Sequence, residues 1–551
     1  MGAITSTVTA IRGRSARPLS PAGWCHQLGV EVPCPATMMD RGAPLFVLLA
    51  FGCEGASAPA TTPAETPRLS DRAAVVRASL DLVGRRPDPD TLPQADASTL
   101  SALVADAQDD PDLGRRAAWL WNQSLHTAAW QDDLAWLAEL PIADQRAIAW
   151  EPLAGIMAVV NEDRPFTDVL TAPEWPANDR LAALWDIPYT GTDGTWAWTR
   201  YDDGRPLAGI LSTSALWMRH SADQTNFHRR RANMLARVFL CADFFDRDVQ
   251  FEADSTLGVG EVEVAVRETP ACVNCHAALD PLAGFLAGFA ERSEPTDLEE
   301  GKRYSPWVAA YGAAVSNPSY FGHPGQDLTD LGAFMAADPR FARCVVRRAY
   351  EGLTNASFDA EPARDDMVRE FVHGGYRWDQ LAAAVIETDA WAAPALKRLP
   401  ADQYLLATSR VLALPEGETG AWAGLDEALL GGQLRVLGGD ADDVSVLQPA
   451  SATAPAHLLY THWVAEVAVP EAVALDRARP PADRVLVPAA DDPSEDEVRV
   501  QLVALFLRVD SLVVEPDGAE VDRLLALWQA ADQSWDEVLV ALLRHPAGRL
   551  Y

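Results

Sequence analysis

Polar and apolar positions alternate along most of the chain with the period of an α-helix rather than that of a strand. Ser70 and Asp71 open a run in which Val75, Val76, Leu80 and Leu82 recur at helical spacing, and Gly84 and Pro87 close it, so a helix is predicted to Val83. The same pattern predicts helices over 98–108 and 113–125, further helix within 141–200, and helix again from Leu207 to about Phe245. The Gly, Thr and Trp-rich stretch 190–198 predicts a short hairpin. Near the C-terminus a weak repeat with an offset of 157 residues aligns Met367, Val368, Phe371, Trp378, Asp379, Leu381, Val385 and Ile386 with Leu524, Leu525, Trp528, Trp535, Asp536, Val538, Leu542 and Leu543. Each copy reads as helix, turn, Trp-Asp cap and helix, and 72–104 corresponds loosely. The bland alternative is that any two amphipathic helix pairs align this well. The expected fold is mainly α, a multi-unit helical protein with repeated helical hairpins.

Length supports several units, since 551 residues exceed what one core organises. The expected divisions are 1–53, a leader; 54–67, an Ala, Ser, Thr and Pro-rich linker; 68–140, an N-terminal helical domain; 141–395, a central domain; and 396–551, a C-terminal helical repeat domain. Hydrophobic residues at 48% with 18 tryptophans supply enough apolar material for packed cores, which excludes disorder as the whole answer. Lys and Arg total 45 against 79 Asp and Glu, a net charge of −34 that repels phosphate backbones and makes nucleic acid an unsuitable partner. One basic patch stands out, Arg219, His220, His228, Arg229, Arg230, Arg231 and Arg237.

The apolar run 43–51 follows Met38, Met39 and Arg41 and is succeeded by Gly52 and Cys53, the order of a secretory signal. It is too short to span a bilayer, which takes about 20 residues. Gly52-Cys53 resembles a bacterial lipobox, with Ala50 and Phe51 imperfect at the two preceding positions, so lipidation of Cys53 and anchoring to a membrane surface are expected. Plain secretion and a buried apolar segment are the alternatives. On the lipobox reading the protein resides in the periplasm or on the cell surface, translation starts at Met38 or Met39, and 1–37, with Cys25 and Cys34, is an artefact upstream of the gene.

The sharpest chemical signal is Cys272-Val273-Asn274-Cys275-His276. In C-x-x-C-H two thiols add to haem vinyl groups and the adjacent histidine becomes an axial iron ligand, so one covalent haem c is expected. Three other readings stay open. A thioredoxin-type pair needs an α/β setting, a zinc site needs further ligands that no second C-x-x-C or H-x-x-x-H provides, and a structural C-x-x-C disulfide needs neither. With Cys53 assigned to lipid and Cys272 and Cys275 to haem, Cys241 and Cys344 remain as a disulfide candidate for an oxidising compartment. Two separately buried thiols are the alternative there.

The motif has company. Asp280-Pro281 and Gly284-Phe285 follow it, Gly209-Ile210-Leu211-Ser212 and an Arg-rich helix ending at Leu240-Cys241 precede it, and Phe341-Ala342-Arg343-Cys344 with Tyr350 lie beyond. Together these resemble the planctomycete-type cytochrome c domains of unknown function, secreted C-x-x-C-H proteins with a following D-P-x-G-F. Leu80-Asp81-Leu82 with Gly84-Arg85-Arg86-Pro87 resembles an associated helical domain, so the likeness covers about 68–395 and is most specific over 165–355. Two departures are present. The spacing here is D-P-x-x-G-F, and Ala242-Asp243-Phe244-Phe245 replaces the usual proline-rich stretch after Cys241. The resemblance implies a haem-motif protein outside the cytoplasm, without a settled reaction.

His276 fills one axial position, and the residue opposite sets the chemistry. His220 is the first candidate for the sixth ligand and Met218 the alternative, with Met234, His323 and Met335 also available. Arg229 and Arg230, with Arg231, are candidates to pair with haem propionates, against the plainer reading of a solvated helix face. No G-x-S-x-G, H-E-x-x-H or P-loop is present, so electron transfer to an unidentified redox partner protein stands ahead of hydrolysis. The competing classes are a surface-anchored helical binding module without haem and a haem peroxidase-like enzyme. Most tryptophans read as core, whereas Trp185, Trp196, Trp198 and Trp217 are candidates to line a ligand groove.

Overall fold

Helix ends in this protein are set by local chemistry. The Ser70 hydroxyl accepts from the Ala73 N–H to open α1 (Asp71–Val83), and Gly84, at φ +70°, returns its N–H to the Leu80 carbonyl to close it. Asp96 and Thr99 form a reciprocal capping box at α2 (Ala97–Gln108), and Asp110 with Pro111 starts α3 (Pro111–Leu125). The computed structural model describes residues 68–87, 89–128, 139–222, 227–246, 259–289, 304–394, 397–415, 419–430, 437–439, 455–509 and 516–545. The leader, Cys53 and the 54–67 linker lie outside the described residues. The described chain is mainly α, and residues 65–551 make one unit.

The first core is built around α3 and α4 (Ile142–Asn161), the short α5 (Asp168–Thr171), α6 (Asp179–Trp185), α7 (Ser214–Arg219) and α8 (Arg229–Leu240). It continues through α10 (Pro270–Gly284), against which α9 (Val259–Glu268) packs, and through α11 (Pro306–Ser316), α12 (Leu328–Ala337), α13 (Pro339–Thr354), α14 (Arg364–His373), α15 (Trp378–Ile386) and α16 (Asp389–Ala392). The second core is built by α17 (Ala401–Val411), α18 (Gly420–Leu430), α19 (Pro455–Ala478), α20 (Glu495–Val509), α21 (Gly518–Ala530) and α22 (Trp535–Leu543).

Helix α1 belongs to both. Ala74, Ala78, Leu82 and Val83 enter the first core, while Val75, Val76 and Leu80 enter the second. A helix apolar on two faces has to be buried on both. Its one buried acid, Asp81, accepts from Lys397 Nζ at 2.6 Å and from Trp391 Nε1 at 2.8 Å, and Lys397 also donates to the Leu353 carbonyl at 2.5 Å. Arg77 donates to the carbonyls of Trp391 and Ala393. The passage from first core to second is thus tied to α1 by buried polar bonds.

The strand pattern departs from the expected hairpin. Residues Ala197–Thr199 (β2) pair antiparallel with Trp175–Ala177 (β1), so their partner lies upstream of the 190–198 stretch. Within that stretch the Tyr189 hydroxyl donates to the Thr192 and Thr195 carbonyls and closes a side-chain-braced loop instead. A second minimal pair joins Ser319–Tyr320 (β3) to His323–Pro324 (β4). At the 157-residue offset, the turns between α14 and α15 and between α21 and α22 carry left-handed residues at Gly375 and Tyr376 and at Asp532 and Gln533. The Tyr376 N–H bonds the Phe371 carbonyl, and the Gln533 N–H bonds that of Trp528.

Candidate functional site

Helix α10 presents the cysteine motif in its first two turns. Pro270 occupies the first helical position, and the N–H groups of Cys272 and Val273 turn back to the Thr269 carbonyl. Cys272, Cys275 and His276 are all partly exposed, and the two thiols are not bridged to each other. The other end of α10 is held by close approach to α11. A Cβ on Gly284 would collide with Ser316 Oγ, and one on Gly312 would collide with the Ala287 methyl, so glycine is required at both contacts.

One turn after the histidine lies Asp280. Its Oδ1 is 2.8 Å from His276 Nδ1, the i,i+4 spacing that brings two side chains together on one helix face. Arg229, at the start of α8, grips the same carboxylate bidentately, Nε to Oδ1 at 2.6 Å and Nη2 to Oδ2 at 3.0 Å. Burial by itself raises the Asp280 carboxyl, but the hydrogen bonds from Arg229 and His276 outweigh it and hold the group below the ordinary carboxylate range. An ionised Asp280 can only accept, so Nδ1–H of the imidazole donates to Oδ1. In the neutral ring this leaves the lone pair on Nε2, the arrangement typical of a metal-ligating histidine with a carboxylate behind it.

The surroundings of α10 are built to hold this array. Cys275 Sγ approaches the Phe244 carbonyl at 3.4 Å, and Phe244 stacks on Phe321. Cys241, the left-handed C-cap of α8, is joined by a disulfide to Cys344 on α13, across 103 residues. Arg348 on α13 also donates to the carbonyls of Arg237 and Val238, so the register of α8, and with it Arg229, is pinned from its far end. Several large apolar side chains nonetheless face solvent here: Phe245 beside Phe244, Val264 on α9, and the stacked pair Trp307 and Tyr311 on α11. All three elements adjoin α10.

His228 stands immediately before Arg229, wholly buried and at φ +59°. Burial and the Arg231 charge push its imidazole down to about 2, so the ring is neutral. Arg231 donates to Nδ1 at 2.9 Å, which leaves the proton on Nε2, and that buried Nε2 has no hydrogen-bond partner among the described residues. An unmet buried donor costs about 1–3 kcal/mol unless water or a ligand accepts from it.

The other residues singled out in the sequence are distributed differently. Arg229 gives its guanidinium to Asp280, Arg230 is exposed on the next position of α8, and Arg231 is buried under the Trp217 and His220 carbonyls. His220 is buried with Nε2 2.8 Å from the Leu125 carbonyl, and Met218 is packed in the first core. Of the four tryptophans expected at a groove, Trp185 and Trp217 are buried, Trp198 donates to Glu162 at 2.6 Å, and Trp196 lines a cavity. Asp280 entered the sequence reading only as part of the D-P-x-x-G-F signature, although its i,i+4 spacing from His276 is visible in the sequence. Arg229 as its partner is visible only in three dimensions.

Among the described residues no group of three or more His, Cys, Asp or Glu side chains is arranged to hold a metal ion, and no helix is long and apolar enough to cross a membrane. No protein-family model, no curated protein and no solved structure matches this chain.

Proposed function

We propose that the protein is an extracytoplasmic c-type haem protein that transfers single electrons, anchored by lipid on Cys53 at the periplasmic or cell-surface face of a membrane. The observation that carries the reading is the chain Arg229, Asp280, His276 beside two unbridged thiols on one helix. Cys272 and Cys275 would each add S–H across a vinyl C=C, sulfur to one carbon and hydrogen to the other, with no atom lost and no oxidant needed. His276 would bind iron through Nε2, and bound haem would supply a one-electron Fe(III)/Fe(II) couple.

The protein's own groups have definable work in that arrangement. Asp280 would hold the imidazole in the tautomer that leaves Nε2 for iron, and a carboxylate behind a ligating histidine would favour Fe(III) and lower the potential. Arg229 keeps Asp280 ionised. The apolar side chains left in solvent around α10 are features that a large, flat, mostly apolar group would cover.

A peroxidase-like reading is favoured by two particular observations, the carboxylate behind His276 and the engagement of His220 Nε2 by the Leu125 carbonyl. The test is expression of the full chain with a haem-maturation system, followed by haem staining on a denaturing gel and a reduced-minus-oxidised spectrum. Covalent haem that is lost in Cys275→Ser supports the proposal, and a folded, colourless protein overturns it. A carbon monoxide-sensitive spectrum assigns the peroxidase-like class, whereas an insensitive six-coordinate spectrum assigns the electron carrier.

A further inference from the structure

A cavity of about 470 Å3 opens where the two cores meet, remote in the sequence from the cysteine motif and independent of it. Its size falls in the range of about 300–1,000 Å3 typical of small-molecule sites. Four indoles line it. Trp119 on α3 and Trp150 on α4 meet edge to face at 5.0 Å, Trp196 comes from the braced 190–196 loop, and Trp422 comes from α18 in the second core. The loop wall is fixed as well, because Asp179 at the start of α6 accepts the Gly194 N–H at 2.8 Å, and Gly194 needs its φ of +77° to turn there. Arg146 on α4 and Asp426 on α18, both in the lining, are ion-paired, which ties one core to the other.

The lining has a particular chemical balance. Arg115, Arg146 and Arg180 are matched by Asp179, Asp402 and Asp426. An anion would meet three carboxylates and the field of a protein of net charge −34, and an organic cation would meet three guanidinium groups. A flat apolar ring would stack on the indoles but would strip water from six charged groups without replacing its hydrogen bonds. A neutral molecule with an apolar face and a rim of hydroxyls satisfies both sets, its C–H face against tryptophan and its hydroxyls on Asp and Arg side chains. We propose that this cavity is a binding site for a neutral saccharide, with Trp119 and Trp196 as stacking residues and Asp179, Asp426 and Arg146 as hydroxyl partners.

The test uses the full chain and three probes, maltose, cellobiose and N,N′-diacetylchitobiose, followed by titration calorimetry and tryptophan fluorescence. Saturable binding of at least one probe is expected, weakened about tenfold or more in Trp196→Ala through loss of a stacking surface. Val500→Ala, on the exposed face of α20, should bind as the parent does. If Trp196→Ala fails to fold, Trp119→Leu carries the same expectation. Absence of saturable binding to all three probes overturns the assignment, as does binding that survives both cavity substitutions. Because no step involves haem, colourless and haem-loaded protein should bind the probes alike.

Discussion

At the scale of single residues, Asp280 links the most local feature of the site to the least local. Its bond to His276 follows from helical spacing, whereas its bond to Arg229 depends on how α8 lies against α10. In haem-loaded protein, Asp280→Asn should raise the midpoint potential by on the order of 60 mV, equivalent to a tenfold change in the relative stability of the two iron states. Redox titration of the visible spectrum checks this, and an unchanged potential would mean that the carboxylate does not tune the ligand. Asp280 also makes stability depend on pH. Its folded carboxyl titrates below the unfolded value, so its contribution is complete above about pH 4 and is lost as pH falls through the folded value. Arg229→Met removes one of the groups that lower it, so the melting temperature of the variant should fall less steeply below about pH 4 than that of the parent. Equal slopes would show that the ion pair does not hold the carboxylate.

At the scale of elements, α8 is the lever that sets the site. Its first residue holds Asp280, and its last turn is fastened to α13 by the Cys241–Cys344 disulfide and by Arg348. Closing a loop of 103 residues contributes up to about 4–5 kcal/mol by the chain-entropy account. The double variant Cys241→Ser/Cys344→Ser should therefore unfold at a markedly lower urea concentration, and reductant should move the parent the same way and leave the variant unaffected. Coincident curves with and without reductant in the parent would show that the bridge is not formed in solution. Helix positions in this part of the chain were largely readable from periodicity, as at α2 and α3, and at α1 also from its cap, because a cap is a bond between near neighbours. The strand pairing was not. Residues 197–199 carry no local mark that distinguishes a partner at 175–177 from a turn-linked one.

At the scale of the whole molecule, α1 makes the two cores depend on each other. With Val75, Val76 and Leu80 in one core and Ala78, Leu82 and Val83 in the other, neither core closes without it. The parent should melt in one calorimetric transition. Lys397→Met removes the ammonium hydrogen-bonded to the buried Asp81 carboxylate, a loss of about 3–5 kcal/mol, and should split the melt into two transitions. Replacing the pair together, with Asp81→Leu/Lys397→Met, should restore much of the stability. A single transition in Lys397→Met would show that apolar packing alone couples the cores.

The sequence by itself determined the helical class, the bounds of the first helix, and the proximity of Cys272, Cys275 and His276, because these depend on residues within a few positions of each other. Tertiary structure alone decided that Arg229 meets Asp280, that α1 serves two cores, and that tryptophans from α3, α4, the 190–196 loop and α18 surround one cavity. Those contacts join residues from about 30 to about 300 positions apart. Periodicity states which face of an element is buried; which other element covers that face is settled by how all the helices pack at once.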